Sequence, residues 1–114
     1  VSIIIPTYNE AENMEAIIPY LFSIQQKSVV EIIVSDAGST DNTVEIAKKN
    51  GVVTLISPIK GRAGQMNYAT QFATGDILYF VHADSRPPLS FYTDIKAALV
   101  VTVLSLTVKV YYLK

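Results

Sequence analysis

The chain has 114 residues, half of them hydrophobic, which is enough for one domain with a real core and no more. A formal net charge of −1 without any long basic run argues against nucleic acid as the main partner. The absence of cysteine excludes disulfides, zinc–thiolate sites and thiol nucleophiles, and fits a reducing, cytoplasmic compartment.

Val1–Ile5 (VSIII) is a short β-branched run, the pattern of a strand covered on both faces, and Pro6 is expected to end it. Asn9 then reads as a helix N-cap, with Glu12 completing a capping box. Met14, Ile17, Ile18, Leu21 and Phe22 follow at helical spacing, and Pro19 within them predicts a kink or an early end. A second strand is predicted over Glu31–Asp36. Gly38 and Ser39 turn the chain into a helix over about Asp41–Lys49, with Lys48 and Lys49 suiting the helix dipole and Gly51 as a stop. Val52–Ile56 is a third strand, Gly61–Gly64 a loop, Gln65–Ala73 a helix and Ile77–Val81 a fourth strand. Pro87 and Pro88 introduce a helix from about Ser90 to Leu99. The Val- and Thr-rich stretch beyond it reads as strand, and its uncharged part is about half of the ~20 residues a membrane-spanning helix needs.

Strands alternating with helices predict an α/β fold, a mostly parallel open sheet with helices on both faces. Ligands of such sheets bind beyond the C-terminal strand ends, near a topological switch point. The polar clusters PTYNE, SDAGSTDNT, SPIKGRAGQMN and VHADSR all fall at those ends.

Capping accounts fully for Asn9 and Glu12. Glu10, at the strand edge with Thr7 and Tyr8, is a candidate ligand contact. Asp36 directly follows a buried strand, where a carboxylate can accept a hydrogen bond from the imide N–H of a pyrimidine. GRAGQMN is neither a P-loop, lacking the Gly-Lys-Ser/Thr ending, nor a G-x-G-x-x-G dinucleotide fingerprint. Arg62 in it could pair with a surface carboxylate, clamp a diphosphate or stack near a base. Asp84 is a hard oxygen ligand at a strand end, enough for a Mg²⁺ or Mn²⁺ ion that arrives with a nucleotide diphosphate. His82 could bond a ribose or phosphate, or touch the metal; the plain alternative for the whole stretch is a strand terminator with a capping Asp.

The series IIIPTYNE, IIVSDAGSTDNT, GRAGQMN and ATGDILYFVHADSRPP, over about Val1–Leu99, resembles the family 2 glycosyltransferases of the GT-A fold, and most nearly the bacterial subgroup with a G-R-A-x-Q-M-N loop and His-Ala-Asp in place of Asp-x-Asp. The resemblance implies that Pro6, Thr7 and Glu10 line the nucleoside pocket. It implies that Asp36 meets the base, usually uracil, and that Arg62 lies near base and diphosphate. Asp84 would hold a divalent metal, Mn²⁺ or Mg²⁺, and His82 would stand where the family has its first aspartate. On this reading residues 1–99 form the nucleotide-sugar-binding half of a GT-A domain, and residues 100–114 are a strand-like tail, a fragment of the acceptor half. The tail VVTVLSLTVKVYYLK has no acidic residue, so the general base is not identified in this chain and the chain is expected to be incomplete. It also opens on Val1 within a strand and is expected to be trimmed there.

The main expectation is therefore an inverting transferase moving sugar from a nucleotide-diphospho-sugar, a UDP-sugar by the resemblance, to the hydroxyl of a glycan, lipid or small molecule. No nucleic-acid partner is expected, and peripheral association with the inner face of a membrane is left open. The alternatives are a non-catalytic nucleotide-binding module of the same fold, which the missing base favours, and a sugar-phosphate nucleotidyltransferase. The last would want a glycine-rich basic loop where this chain has PTYNE.

Overall fold

The computed structural model describes residues 1–24, 29, 31–88, 90 and 109–112. Its strands are β1 (Ser2–Thr7), β2 (Glu31–Asp36), β3 (Val53–Ile56), β4 (Ile77–Phe80) and β5 (Lys109–Tyr112). Its helices are α1 (Ala11–Ile24), α2 (Thr43–Lys49) and α3 (Arg62–Thr70). The sheet has the order β3-β2-β1-β4-β5, and every pairing in it is parallel. The chain thus steps outward from β1 to β3 and returns across β1 to β4, which puts the reversal between β1 and β4. Most of the expected helix over 90–99, and the tail apart from β5, lie outside the described residues. Among the described residues no helix is long and apolar enough to cross a membrane.

Strand side chains alternate between faces. Ile3, Ile5, Ile32, Val34, Tyr79 and Val81 pack with Met14, Ile17, Ile18 and Leu21 of α1 and Ala47 of α2. Ile4, Ile33, Leu78 and Phe80 pack on the other side with Ala69 and Met66 of α3. Both faces are therefore covered, and the near-continuous apolar strands follow from that. Met14, Ile17, Ile18 and Leu21 are fully buried; each contributes about 1.5–3 kcal/mol by leaving water. That burial carries α1 through Pro19 to Ile24, so the helix does not end early at the proline.

Two local expectations are corrected. Pro6 does not end β1: it pairs with Ser35, and Thr7 with Asp36, so β1 runs on beside β2. On the other flank the register with β4 stops at Ile4–Phe80, followed by one more bond from Val81 N to Ile4 O at 2.9 Å. The Asn9–Glu12 capping box also gives way to another arrangement. Asn9 sits at φ 51°, and its Oδ1 accepts from Thr40 N at 2.8 Å. The carbonyl of Glu10 accepts the first helical bond, from Met14 N at 2.8 Å, and Asp41 Oδ2 accepts from Ala11 N at 3.1 Å. The Asp41 Oδ1 atom accepts from Thr43 N at 3.0 Å at the start of α2. Each loop thereby supplies what the other needs, because parallel neighbours β1 and β2 end side by side and bring their following loops together.

Candidate functional site

The loops after β1, β2, β3 and β4 leave the same edge of the sheet. Between the first three lies a cavity of about 420 Å³ lined by Tyr8, Ala37, Lys60, Gly61, Arg62 and Gln65. That volume falls in the range of small-ligand sites, roughly 300–1,000 Å³. Tyr8 is half exposed and offers a ring face, while Lys60 and Arg62 are exposed cations. The combination suits a planar group attached to an anion.

Next to Ala37 of the cavity lining lies a closed hydrogen-bond network. Asp36 is fully buried. Its Oδ1 accepts from the hydroxyls of Thr7 at 2.7 Å and Ser39 at 2.6 Å, and its Oδ2 from the backbone N–H groups of Gly38 at 2.9 Å and Ser39 at 2.7 Å. Such a carboxylate fixes the turn that follows it. Both oxygens of Asp36, the residue expected to meet the base, thus accept hydrogen bonds from the protein. Pro6 and Thr7, also expected in the pocket wall, are likewise buried in β1. The Thr7 hydroxyl faces Asp36, and its carbonyl accepts from Ala37 N at 3.0 Å.

Beyond β4, the chain continues as Val81-His82-Ala83-Asp84. His82 is 8% exposed, whereas Asp84 is exposed. The imidazole is held below its ordinary pKa, chiefly by burial and then by the positive charge of Arg62, while Asp84 and Glu10 act in the opposite sense. That pattern brings four of the seven expected residues, from three different loops, into one electrostatic neighbourhood. A neutral imidazole both donates and accepts. Glu10 is half-buried and its Oε2 accepts from Asn13 Nδ2 at 2.7 Å. Among the described residues no three of His, Asp and Glu gather into a cage for a metal ion. Asp84 alone would need a ligand's own oxygens to complete a coordination shell, the usual situation for Mg²⁺ beside a diphosphate.

Two contributors were not singled out from sequence. Gln65 was read as the start of a helix, but α3 begins at Arg62, so both residues share its first turn at a spacing of three and face the same way. The signal for it in the sequence is the spacing of three from Arg62, given a helix that starts there. Tyr20 of α1 donates its hydroxyl to the carbonyl of Pro87, and the Arg86 guanidinium lies 6.0 Å from its ring centre, which ties the loop after Asp84 to α1. The sequence contains no signal for that pairing of distant residues.

A family model described as glycosyl transferase family 2 matches residues 2–99. The chain is 35% identical over 94 residues to a glycosyltransferase, AglE, of Haloferax volcanii, covering 76% of this chain and 31% of that protein. It is 33% identical over 93 residues to a dolichol-phosphate mannosyltransferase of Pyrococcus furiosus, covering 77% of this chain and 26% of that one. Among solved structures it resembles glucosyl-3-phosphoglycerate synthase from Mycobacterium tuberculosis in complex with Mn²⁺, UDP and glucosyl-3-phosphoglycerate, at a TM-score of 0.70 and 26% identity over 91% of this chain and 39% of that one. It also resembles S. aureus TarS, at a TM-score of 0.68 and 26% identity over 87% of this chain and 32% of that one. The chain thus spans about a third of the length of the proteins it matches.

Proposed function

The chain belongs to glycosyl transferase family 2, and from that membership we propose that it forms the donor-binding part of an inverting glycosyltransferase that uses a UDP-sugar. The observation that carries this reading is the cavity lined by Tyr8, Ala37, Lys60, Gly61, Arg62 and Gln65 at the C-terminal edge of the sheet, whose Arg62 acts electrostatically on His82 together with Asp84 and Glu10. The Mn²⁺ and UDP bound by the mycobacterial synthase support the choice of ligand.

In this reading the base enters the cavity against Tyr8, and the diphosphate extends toward Arg62 and His82. Asp84 would hold a divalent cation, Mn²⁺ or Mg²⁺, together with diphosphate oxygens; such an ion when bound supplies Lewis-acid charge for the leaving group. Arg62 adds a fixed positive charge where the phosphate gains negative charge. The neutral His82 donates a hydrogen bond to a ribose or phosphate oxygen where an aspartate could only accept. The oxygen of an acceptor hydroxyl attacks the anomeric carbon from the face opposite the diphosphate. The bond from that carbon to the phosphate oxygen breaks with its electron pair going to the diphosphate, and a base takes the hydroxyl proton. No residue of this chain is assigned as that base. The acceptor is a hydroxyl of a glycan, lipid or small molecule.

Asp84→Asn tests the reading. Asp84 is exposed at a strand end, so stability should change little. Calorimetry with UDP should show the Mn²⁺-dependent gain in affinity largely lost, while metal-free binding persists. His82→Ala should weaken binding and keep its metal dependence. If Asp84→Asn retains the full gain from Mn²⁺, the His-Ala-Asp stretch is a strand terminator with a capping aspartate and the metal site lies elsewhere.

A further inference from the structure

We propose that Tyr20 is a positioning residue for Asp84, holding the turn that presents this carboxylate to the divalent cation bound with the nucleotide. The inference rests on the donor-site reading above and goes beyond it, to a residue of α1 outside the cavity.

Asp84 is exposed, but the chain on both sides of it is anchored. Ala83 is 3% exposed and packs in the core cluster that α1 covers. Pro87 is buried. Between them Asp84 and Arg86 are exposed and Ser85 half-buried, a bow standing off the core. Ser85 N donates to the His82 carbonyl at 2.9 Å, which turns the chain within the bow.

Tyr20 reaches this bow in two ways. Its hydroxyl donates to the Pro87 carbonyl, which fixes the far end. Its ring centre lies 6.0 Å from the Arg86 guanidinium, in range of a cation–π contact. The same guanidinium donates through Nη1 to the Ser85 carbonyl at 2.7 Å and, at the long limit of 3.5 Å, to the Ala83 carbonyl. These two carbonyls belong to the residues on either side of Asp84. Arg86 thus draws the backbone together around Asp84, and Tyr20 gives Arg86 its seat. An arginine suits the task, because its planar fork serves more than one acceptor while its face rests on a ring.

The consequence is specific to the cation. A lone carboxylate that shares a divalent ion with a diphosphate works best when its place is set in advance, since a loose turn must be ordered on binding. None of these residues lines the cavity between the first three loops. Metal-free affinity for the nucleotide should therefore not depend on Tyr20.

The test is calorimetry of UDP with and without Mn²⁺ on the intact protein, with Asp84→Asn measured beside the other variants. Tyr20→Phe keeps the ring beside Arg86 and removes the bond to Pro87. It should lower the Mn²⁺-dependent gain in UDP affinity about fivefold, the scale of one hydrogen bond, and leave metal-free affinity within about twofold. Arg86→Lys keeps the charge but loses the fork, and should lower the gain in the same way; Arg86 is exposed, so this substitution leaves the core intact. A purely structural Tyr20 would weaken both affinities together or neither. Either result overturns the inference, as does an Arg86→Lys protein that keeps the full gain. Such results count against Tyr20 alone while Asp84→Asn loses the gain. An Asp84→Asn protein that keeps it overturns the metal-site reading and this inference with it.

Discussion

Gly61 holds φ 101° and ψ 142° immediately before α3 and at the wall of the cavity. A side chain there is strained even though open space surrounds the position. Gly61→Ala should cost about 1–3 kcal/mol of stability, and it should weaken UDP binding because the strain is relieved by shifting the helix turn that carries Arg62 and Gln65. Urea denaturation and calorimetry on the one variant check both; unchanged binding beside a lower stability would separate the loop from the site. The need for glycine near a ligand was legible in GRAGQMN, since two glycines flank an arginine. The fate of Asp36 was not. Its place at the end of a strand follows from the apolar run before it, but its enclosure depends on the hydroxyls of Thr7 and Ser39, and on a pairing of Thr7 with Asp36 that no local pattern contains.

Asp41 joins two elements, accepting from Ala11 N at the start of α1 and from Thr43 N at the start of α2. Asp41→Ala should therefore act as the loss of two caps, each worth about 0.5–2 kcal/mol. The denaturation midpoint should fall with the slope unchanged. A fall no larger than a single cap explains would mean that water replaces one of the two bonds. The type and order of the elements through β4 were readable because the apolar periodicities of strand and helix differ so plainly. Ends were less so. The helix expected from Gln65 starts at Arg62 because Gly64 is used there for contact: an added Cβ would fall 2.3 Å from Ile59 Cγ2. A propensity argument counts that glycine against a helix, and packing reverses the sign. The capping box failed for a related reason. Asn and Glu at the right spacing satisfy a local rule, but the neighbouring loop offered Asp41 as a better partner.

At the opposite end of the sheet from the site, Glu31 fastens three segments. Its Oε2 accepts from Ser2 Oγ at 2.7 Å, Thr74 N at 2.5 Å and Thr74 Oγ1 at 2.9 Å, while Gly75 N donates to Ser2 Oγ at 2.9 Å. Burial is the largest single influence on this carboxyl and would raise its pKa, but the hydrogen bonds from Thr74, Ser2 and Gly75 together outweigh it and leave it lowered. The folded state thus binds this proton less readily than the unfolded chain. The stabilisation is complete above the unfolded value near 4.5 and is lost as pH falls through the lower folded value. Glu31→Gln should be less stable than wild type at neutral pH, with the gap closing as pH is lowered through the acid range. Thermal unfolding across that range checks the sign; a gap that stays constant would remove the carboxylate charge from the account.

Pro6 lies two residues beyond Ile4 and so turns the same flank of β1 toward β4. After the bond from Val81 N to Ile4 O, the next rung of that ladder would need an N–H at position 6 to donate to the Val81 carbonyl, and a proline has none. The two strands can zip no further. On its other flank β1 stays paired with β2 to Thr7, which that flank permits because the ring there faces away from the β2 hydrogen bonds. One residue thus unbuttons the sheet on a single side, at the point where strand order reverses and one residue before His82. The end of that pairing is written into the covalent structure of the chain: no neighbour, ligand or pH can supply the missing hydrogen.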